Sequence, residues 1–531
     1  MHNVADNVDP LLRRTTDRHL QSSQAKSGSE WEKRALNATL RTRAIRSSDQ
    51  QEDAMKTRRQ FIARLGALGA AFICGQTSAL ASRRPPSHVR AWRTGGLDRH
   101  KALSETDWSA MPFRKSGLTV KVDRTKQKQT IYGMGGALTD SSCYLISLLP
   151  ELEKQELLDE LFAPDGLGLS LCRICVGSSD FSKSLYSYDE SEIPDPPLKK
   201  FSISHDRDYI IPCLKRAREV NPNLRLFATP WSPPGWMKSG GSMLGGMIKK
   251  RYFDAYADYL VRFLLAYREA GVCVDALSIQ NEVDTDQDGR MPASLWGQEY
   301  EIQFLTDHLG PALRAADINV KIWILDHNYN LWGRVLDQLA DPRFAQYVDG
   351  VAWHAYGGGP EAMSRVHVEF PDKGMYWTEG GPDVTDPNYL TDWCRWSEVF
   401  TGVLRNWSRS LITWNILLDE NGKPRIGPFA CGGLLTRNSD TGELSRSGEY
   451  WALAHFSKAI RPNAAIVESS LLGPHPATVG NIAFSNPGGM DGVILTNRGE
   501  DTCVAIESGD HRLKVYVPED SIVTLMWDPM L

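Results

Sequence analysis

The sequence predicts an α/β fold, a (β/α)8 TIM barrel with a β-sandwich-like side domain formed from both chain ends. Strand-like and helix-like segments alternate through roughly 290 residues, the rhythm of a parallel barrel. One strand-like segment stands alone before that alternation, and a helix-free series of short alternating strands follows it. Two glutamates, Glu282 and Glu379, close strand-like runs within the alternation, and barrels carry their reacting groups at strand C-termini.

Taken in order, residues 117–123 are the isolated strand. Strand one, 131–136, ends in glycines that lead into Thr139 and Asp140, and a helix follows at 151–162. Strand two, 167–176, gives way to a polar loop at Ser178, and a helix at 206–220 leads to strand three, 224–230. The loop from Trp231 to Met247 is rich in Gly and Pro and is expected to lie over the barrel mouth. A helix at 252–270 precedes strand four, 274–282, which Glu282 closes. Strand five, 321–325, runs into Asp326-His327-Asn328, and strand six, 348–353, into His354-Ala355-Tyr356. Strand seven, 374–379, closes on Glu379, and strand eight, 410–414, on Asn415. From about Ile466 the period shortens to strands at 482–484, 492–496, 513–517 and 522–527. The domain map is therefore 82–128 as linker and first side-domain strand, 129–461 as barrel, and 462–531 as the rest of the side domain.

A chain of 531 residues exceeds the usual size of one hydrophobic core, in keeping with a large domain and a smaller companion. The formal charge of −5 and a pI near 6.2 exclude an electrostatic nucleic-acid binder. Sixteen tryptophans favour a polysaccharide-active enzyme, because indole faces stack on the C–H faces of sugars.

Residues 1–54 are charged, polar and poor in aromatics, so they cannot build a core, and Met55 is a candidate initiator. Arg58-Arg59, a small-residue apolar stretch from Leu65 to Ile73, and Ala79-Leu80-Ala81 before Ser82 make 55–81 read as a twin-arginine signal peptide. The apolar run is too short for a permanent anchor, so the expectation is periplasmic or extracellular protein with no stable membrane anchor after cleavage. Nine cysteines are present, Cys74 within the signal and the others scattered. Cys172 and Cys175 form a CxxC inside strand two, where odd spacing sends their side chains to opposite faces and favours buried thiols over redox or zinc chemistry.

Acetal cleavage with retention needs one protonated carboxyl to help the leaving oxygen depart and one carboxylate to attack the anomeric carbon, roughly 5–5.5 Å away. Glu282 and Glu379, on different strand ends, suit that pair, with the acid expected to have the higher pKa. Asn281, beside Glu282, can hydrogen-bond a sugar hydroxyl next to the reacting carbon. A metal-dependent barrel using Asp326, His327, His354 and Glu379 is the rival enzyme class, but no HxH or HExxH spacing supports it, and neither metal nor cofactor is expected. A sugar-binding barrel without catalysis would be expected to lack one carboxylate, and this chain keeps both.

Gly133-Met134-Gly135-Gly136-Ala137-Leu138-Thr139-Asp140, Ser179-Asp180-Phe181-Ser182, Thr229-Pro230-Trp231-Ser232, Gln280-Asn281-Glu282, Trp377-Thr378-Glu379 and Trp414-Asn415 resemble the motifs of glycoside hydrolase family 30. The resemblance runs from about Leu118 to the C-terminus and is closest to the glucosylceramidase and β-1,6-glucanase branch. It implies a retaining β-glycosidase for β-glucosidic bonds of a carbohydrate or glycolipid, with xylosides and fucosides the substrates of related branches. It also implies Glu282 as acid/base, Glu379 as nucleophile, and Arg173, Asp180, Trp231, Asn281, Tyr356 and Trp414 around the cleaved sugar. By residue type alone, Arg173 is either an internal ion pair or a contact that holds Glu379, and Asp180 either a helix cap or a bidentate acceptor for sugar hydroxyls. Trp231 and Trp414 are core or sugar platform, and Tyr356 is packing or a hydrogen-bond donor to Glu379. His354 reads as a supporting residue, and Trp236, Trp353 and Trp377 as core or rim.

Overall fold

The structure is a computed structural model describing residues 88–104, 106–107, 117–474 and 478–528. The upstream segment 1–54 and the expected signal peptide at 55–81 lie outside the described residues. Eight parallel strands pair in the order Gly133–Gly136, Ser408–Thr413, Gly374–Glu379, Gly350–His354, Lys321–Asn328, Ala276–Ser278, Arg225–Pro230 and Leu171–Val176. A parallel bridge between Ala137 and Arg173 joins the outer strands, with the Leu138 N–H donating to the Arg173 carbonyl at 2.9 Å. That seam accounts for the glycines of strand one. A Cβ on Gly135 would stand 1.9 Å from the Leu171 carbonyl oxygen, so a side chain there would force the strands apart.

Inward-facing Leu171, Phe227, Ala276, Trp323, Ala352, Tyr376 and Ile412 fill the barrel interior, and Trp323 stacks on Tyr376 at 3.7 Å. This plug makes the barrel interior a packed core rather than a channel. Around the barrel, the helix Phe253–Glu269 buries Phe253, Tyr256, Leu260, Phe263 and Tyr267 along one stripe at the helical period. Trp236, Trp353 and Trp377 are all buried, which resolves them as core.

Outside the barrel, ten strands pair in one sheet, and Leu417–Asp419, Leu435–Arg437 and Leu444–Arg446 form a separate three-stranded sheet. His88–Gly95 pairs antiparallel with Ser521–Trp527, and Leu118–Thr130 lies between Ala465–Leu472 and Thr502–Ser508. Val89, Val120, Val504, Leu525 and Trp527 share its core, so the side domain is sealed by both chain ends. The helix Trp393–Arg405 fastens it to the barrel: Trp393 Nε1 donates to the Asp520 carbonyl at 2.9 Å, and Ser397 and Thr496 share a hydroxyl bond of 2.6 Å.

Three elements differ from the sequence expectation. Strand four is only Ala276–Ser278; the chain then leaves the ladder, and Glu282 sits beyond it with φ 53° rather than closing the strand. Strand five runs on to Asn328 through a bulge, with Leu325 and Asp326 at φ 71° and 47° and a register slip opposite Ala352 and Trp353. The helix expected at 206–220 is two, Ser204–Asp208 and Ile210–Val220, separated at Tyr209, whose hydroxyl donates to Asp140 at 2.8 Å. Among the described residues, no helix is long and apolar enough to cross a membrane.

Candidate active site

Arg173, on strand two, organises the mouth. It is fully buried, and its guanidinium donates to Glu379 Oε2, to Asp326 Oδ2 at 2.8 Å and to Asn281 Oδ1 at 2.9 Å. Trp231 and Trp414 stack on each other at 5.1 Å, and the Arg173 guanidinium lies 4.8 Å and 5.4 Å from their ring centres. Asp326 is the hub beneath. The strand-five bulge aims it inward, where it also accepts from Ser278 at 2.8 Å, Thr378 at 2.9 Å and Thr229 at 3.0 Å. Burial opposes its ionisation, but Arg173 and then His354 hold its carboxyl well below the usual range.

His354, closing strand six, stands between the two acids. Its Nδ1 is 3.4 Å from Glu282 Oε1, and its Nε2 is 3.0 Å from Asp326 Oδ1 and 3.8 Å from Glu379 Oε2. Burial disfavours the imidazolium, yet Glu379, Asp326 and Glu282 together raise its pKa to about 9. Glu282 also accepts from Gln287 Nε2 at 2.8 Å and faces His327 Nδ1 at 3.5 Å. Burial alone would raise the Glu282 carboxyl; the His354 bond and the charges of His327 and His354 outweigh it and leave it below its ordinary value. Two imidazoles, those of His327 and His354, thus face one Glu282 carboxylate oxygen.

Glu282, Gln287, Asp326 and Asn415 at the mouth adopt left-handed backbone, at φ 53°, 52°, 47° and 63°. Such conformations cost about 1–3 kcal/mol each and persist only where surrounding bonds impose them. Here the Glu282 N–H donates to the Asp326 carbonyl at 3.0 Å, and Asn415 Oδ1 accepts from Thr139 at 2.9 Å.

Of the residues expected at the site, all but Arg173 line one cavity of about 460 Å3, a size suited to a small-molecule subsite. Arg173 lies under it, so its role is to hold Glu379 and Asn281 rather than to touch sugar. Asp180 Oδ1 is buried at the cavity without a hydrogen-bond partner, the condition of an acceptor awaiting hydroxyls; burial and then the charges of Glu379 and Glu282 push its carboxyl well up. Trp231 and Trp414 are 1% and 2% exposed, so they form a packed floor rather than open platforms. Tyr356 stands half-exposed on the rim, tied through its N–H to Asn328 Oδ1 at 3.0 Å. Among the described residues no hydrogen bond joins its hydroxyl to Glu379, although burial of that hydroxyl and the Glu379 charge raise its pKa.

His327, Gln287, Met291, Phe429 and Cys431 also line the cavity and were not singled out as sugar contacts by the sequence. Loops after strands four and eight supply most of them; only the DHN triplet after strand five pointed to His327. The Gly/Pro-rich loop after strand three instead folds onto itself around the buried Lys238, which donates to Ser232 Oγ at 2.9 Å and to the carbonyls of Met243 and Ala293. Burial lowers the Lys238 pKa to about 7. Cys172 and Cys175 are buried free thiols, Cys172 pushed up to about 12, in line with an inert CxxC.

A plugged parallel barrel with two carboxyls flanking one imidazole, above an arginine and beside a stacked indole pair, defines a glycoside hydrolase, an enzyme acting on glycosidic bonds. The chain belongs to glycosyl hydrolase family 30, whose TIM-barrel domain model matches residues 131–460. It is 29% identical over 432 residues to an endo-1,6-β-D-glucanase of Neurospora crassa, covering 78% of this chain and 86% of that one. It is 27% identical over 441 residues to the lysosomal acid glucosylceramidase of Mus musculus, covering 78% and 84%. The solved structure of an endo-β-1,6-glucanase superposes with a TM-score of 0.76 at 28% identity, covering 83% of this chain and all (100%) of that one.

Replacing Arg173 by Gln removes the cation shared by two buried carboxylates. The variant is expected to lose about 3–5 kcal/mol of stability, the scale for leaving a buried charge unpaired. Urea unfolding should show a lower midpoint at an unchanged slope; an unaltered midpoint would refute the hub role.

Proposed function

We propose that the protein is a retaining β-glucosidase whose natural substrate is a β-1,6-linked glucan. The arrangement of Glu282 and Glu379 on opposite nitrogens of His354 carries this reading, since it keeps both acids at one small subsite. A Glu379 carboxylate oxygen attacks the anomeric carbon while Glu282 gives its proton to the departing glycosidic oxygen. Water then enters, Glu282 takes its proton, and the hydroxide equivalent displaces Glu379 with a second inversion. Asn281, whose carbonyl oxygen is engaged by Arg173, keeps its amide N–H groups for a sugar hydroxyl, and the unpartnered Asp180 oxygen accepts from others. The choice of a β-1,6-glucan is supported by the endo-1,6-β-glucanases among the relatives.

A glucosyl lipid is the second reading, favoured by Phe429 and Tyr356, which are 40% and 49% exposed beside the mouth and offer apolar faces to an aglycone. One experiment decides among substrates and mechanism together. Gentio-oligosaccharides, glucosylceramide and aryl β-glucosides, xylosides and fucosides are hydrolysed in parallel, with time-resolved NMR of the first sugar released. The expected outcome is fastest turnover of the gentio series with the β-anomer formed first. An initial α-anomer would rule out retention, and preference for xylosides or fucosides would move the enzyme to a related branch.

A further inference from the structure

The surroundings of Glu282 have a property that the hydrolytic reaction does not use. Two imidazoles approach the same carboxylate oxygen, each with its far nitrogen taken by another carboxylate. His327 Nε2 lies 2.6 Å from Asp284 Oδ1, and His354 Nε2 lies 3.0 Å from Asp326 Oδ1. A neutral imidazole that donates from Nε2 carries its lone pair on Nδ1. Both Nδ1 atoms face Glu282 Oε1, at 3.5 Å and 3.4 Å, so three potential ligand atoms converge on one point, and a metal ion there would displace the proton that His354 otherwise carries. His327 Nδ1 is buried without a hydrogen-bond partner, on a residue only 6% exposed.

Convergent acceptors repel unless a cation lies between them. In hydrolysis that cation is a proton, but the geometry is also that of a metal shell. Ligand atoms of the three residues lie within 4.8 Å of one another. With bonds of about 2.0–2.1 Å, the edges of a tetrahedron are roughly 3.3 Å long, close to the two Oε1–Nδ1 separations. Carboxylates behind both imidazoles supply the outer support that fixes ring orientation and raises ligand basicity at metal sites. Two imidazoles and one carboxylate suit zinc, cobalt, nickel or copper, and not magnesium or calcium.

We propose that Glu282, His327 and His354 form a binding site for a divalent transition-metal ion of the zinc class, and that the bound ion inhibits hydrolysis by occupying the carboxyl group that must deliver the proton. The fourth position opens to the cavity beside Gln287 and Tyr356, for a water or a sugar hydroxyl. The inhibitory half rests on the reading of Glu282 as the acid, and the binding half does not.

The test titrates the purified protein with Co2+ and Zn2+, reading cobalt absorption and calorimetry, which need no turnover, and then aryl β-glucoside hydrolysis. One ion per cluster is expected, with no response to Mg2+ and with inhibition reversed by EDTA. Asp284→Asn should weaken binding by about 10–100-fold, the usual cost of losing an outer partner, and His327→Ala by more. His308→Ala, which removes a distant imidazole paired with Asp254, should leave affinity unchanged. The Asp284 side chain is 42% exposed, so its variant serves if His327→Ala fails to fold. Absence of a one-to-one complex, or equal affinity in both site variants, overturns the site while leaving the hydrolase reading intact. An ion that binds with these dependences and leaves hydrolysis untouched upholds the site and overturns Glu282 as the acid.

Discussion

Glu379→Gln abolishes turnover of every β-glucoside alike: kcat/KM is expected to fall by about 10⁶-fold, the scale on which removal of a covalent nucleophile acts. The substitution keeps the shape of the side chain but removes the charge that attacks carbon. It also places an amide against Arg173, whose guanidinium donates to Glu379 Oε2 and has no acceptor role to offer an N–H. Because attack by Glu379 accompanies leaving-group departure for every substrate, better leaving groups should not restore the covalent route. A fluorosugar that traps the glycosyl-enzyme should label the Glu379 peptide. Substantial turnover in the variant, or a label on Glu282, would exchange or remove the assigned roles.

Glu282→Gln should behave differently, and the difference is the test. For substrates with poor leaving groups, loss of the proton donor should cost roughly 10²–10⁴-fold, the range of general acid catalysis. Dinitrophenyl glucosides depart without protonation, so their glycosylation step should slow far less. Deglycosylation then becomes limiting because no base activates water, and azide should rescue it by attacking the intermediate directly. The neighbouring Gln287 and His354 contacts can persist with an amide, so the cavity itself should survive. Equal losses across leaving groups, or no response to azide, would defeat the assignment of Glu282 as acid/base.

Some of the architecture was hidden by local chemistry. His88–Gly95 lies in what reads as linker because the exposed Arg90 and the partly buried Arg93 break up the buried Val89 and Ala91, and basic residues mask a short alternation. Strand four reads as continuous to Glu282 because Ile279 carries the strand-like run past Ser278, while the left-handed turn at Glu282 has no glycine to announce it. The loop after strand three has loop composition, yet it is pinned by a buried lysine, a partnership that composition does not carry.

The amino-acid sequence by itself determined the barrel, the strand-rich tail and the two acids, since periods of 2 and 3.6 and the ends of strands are local properties of the chain. Only the tertiary structure decided which groups surround those acids. Arg173 and Glu379 are 206 positions apart, His354 and Glu282 are 72 apart, and the charge state of each depends on a separation in space that no sequence interval expresses. For that reason no local pattern announces that a bond from His354 and the charges of two imidazoles hold the Glu282 carboxyl below its ordinary value. The same convergence made His327, read in the sequence only as a ligand of the rival metal-dependent class, a wall of the site.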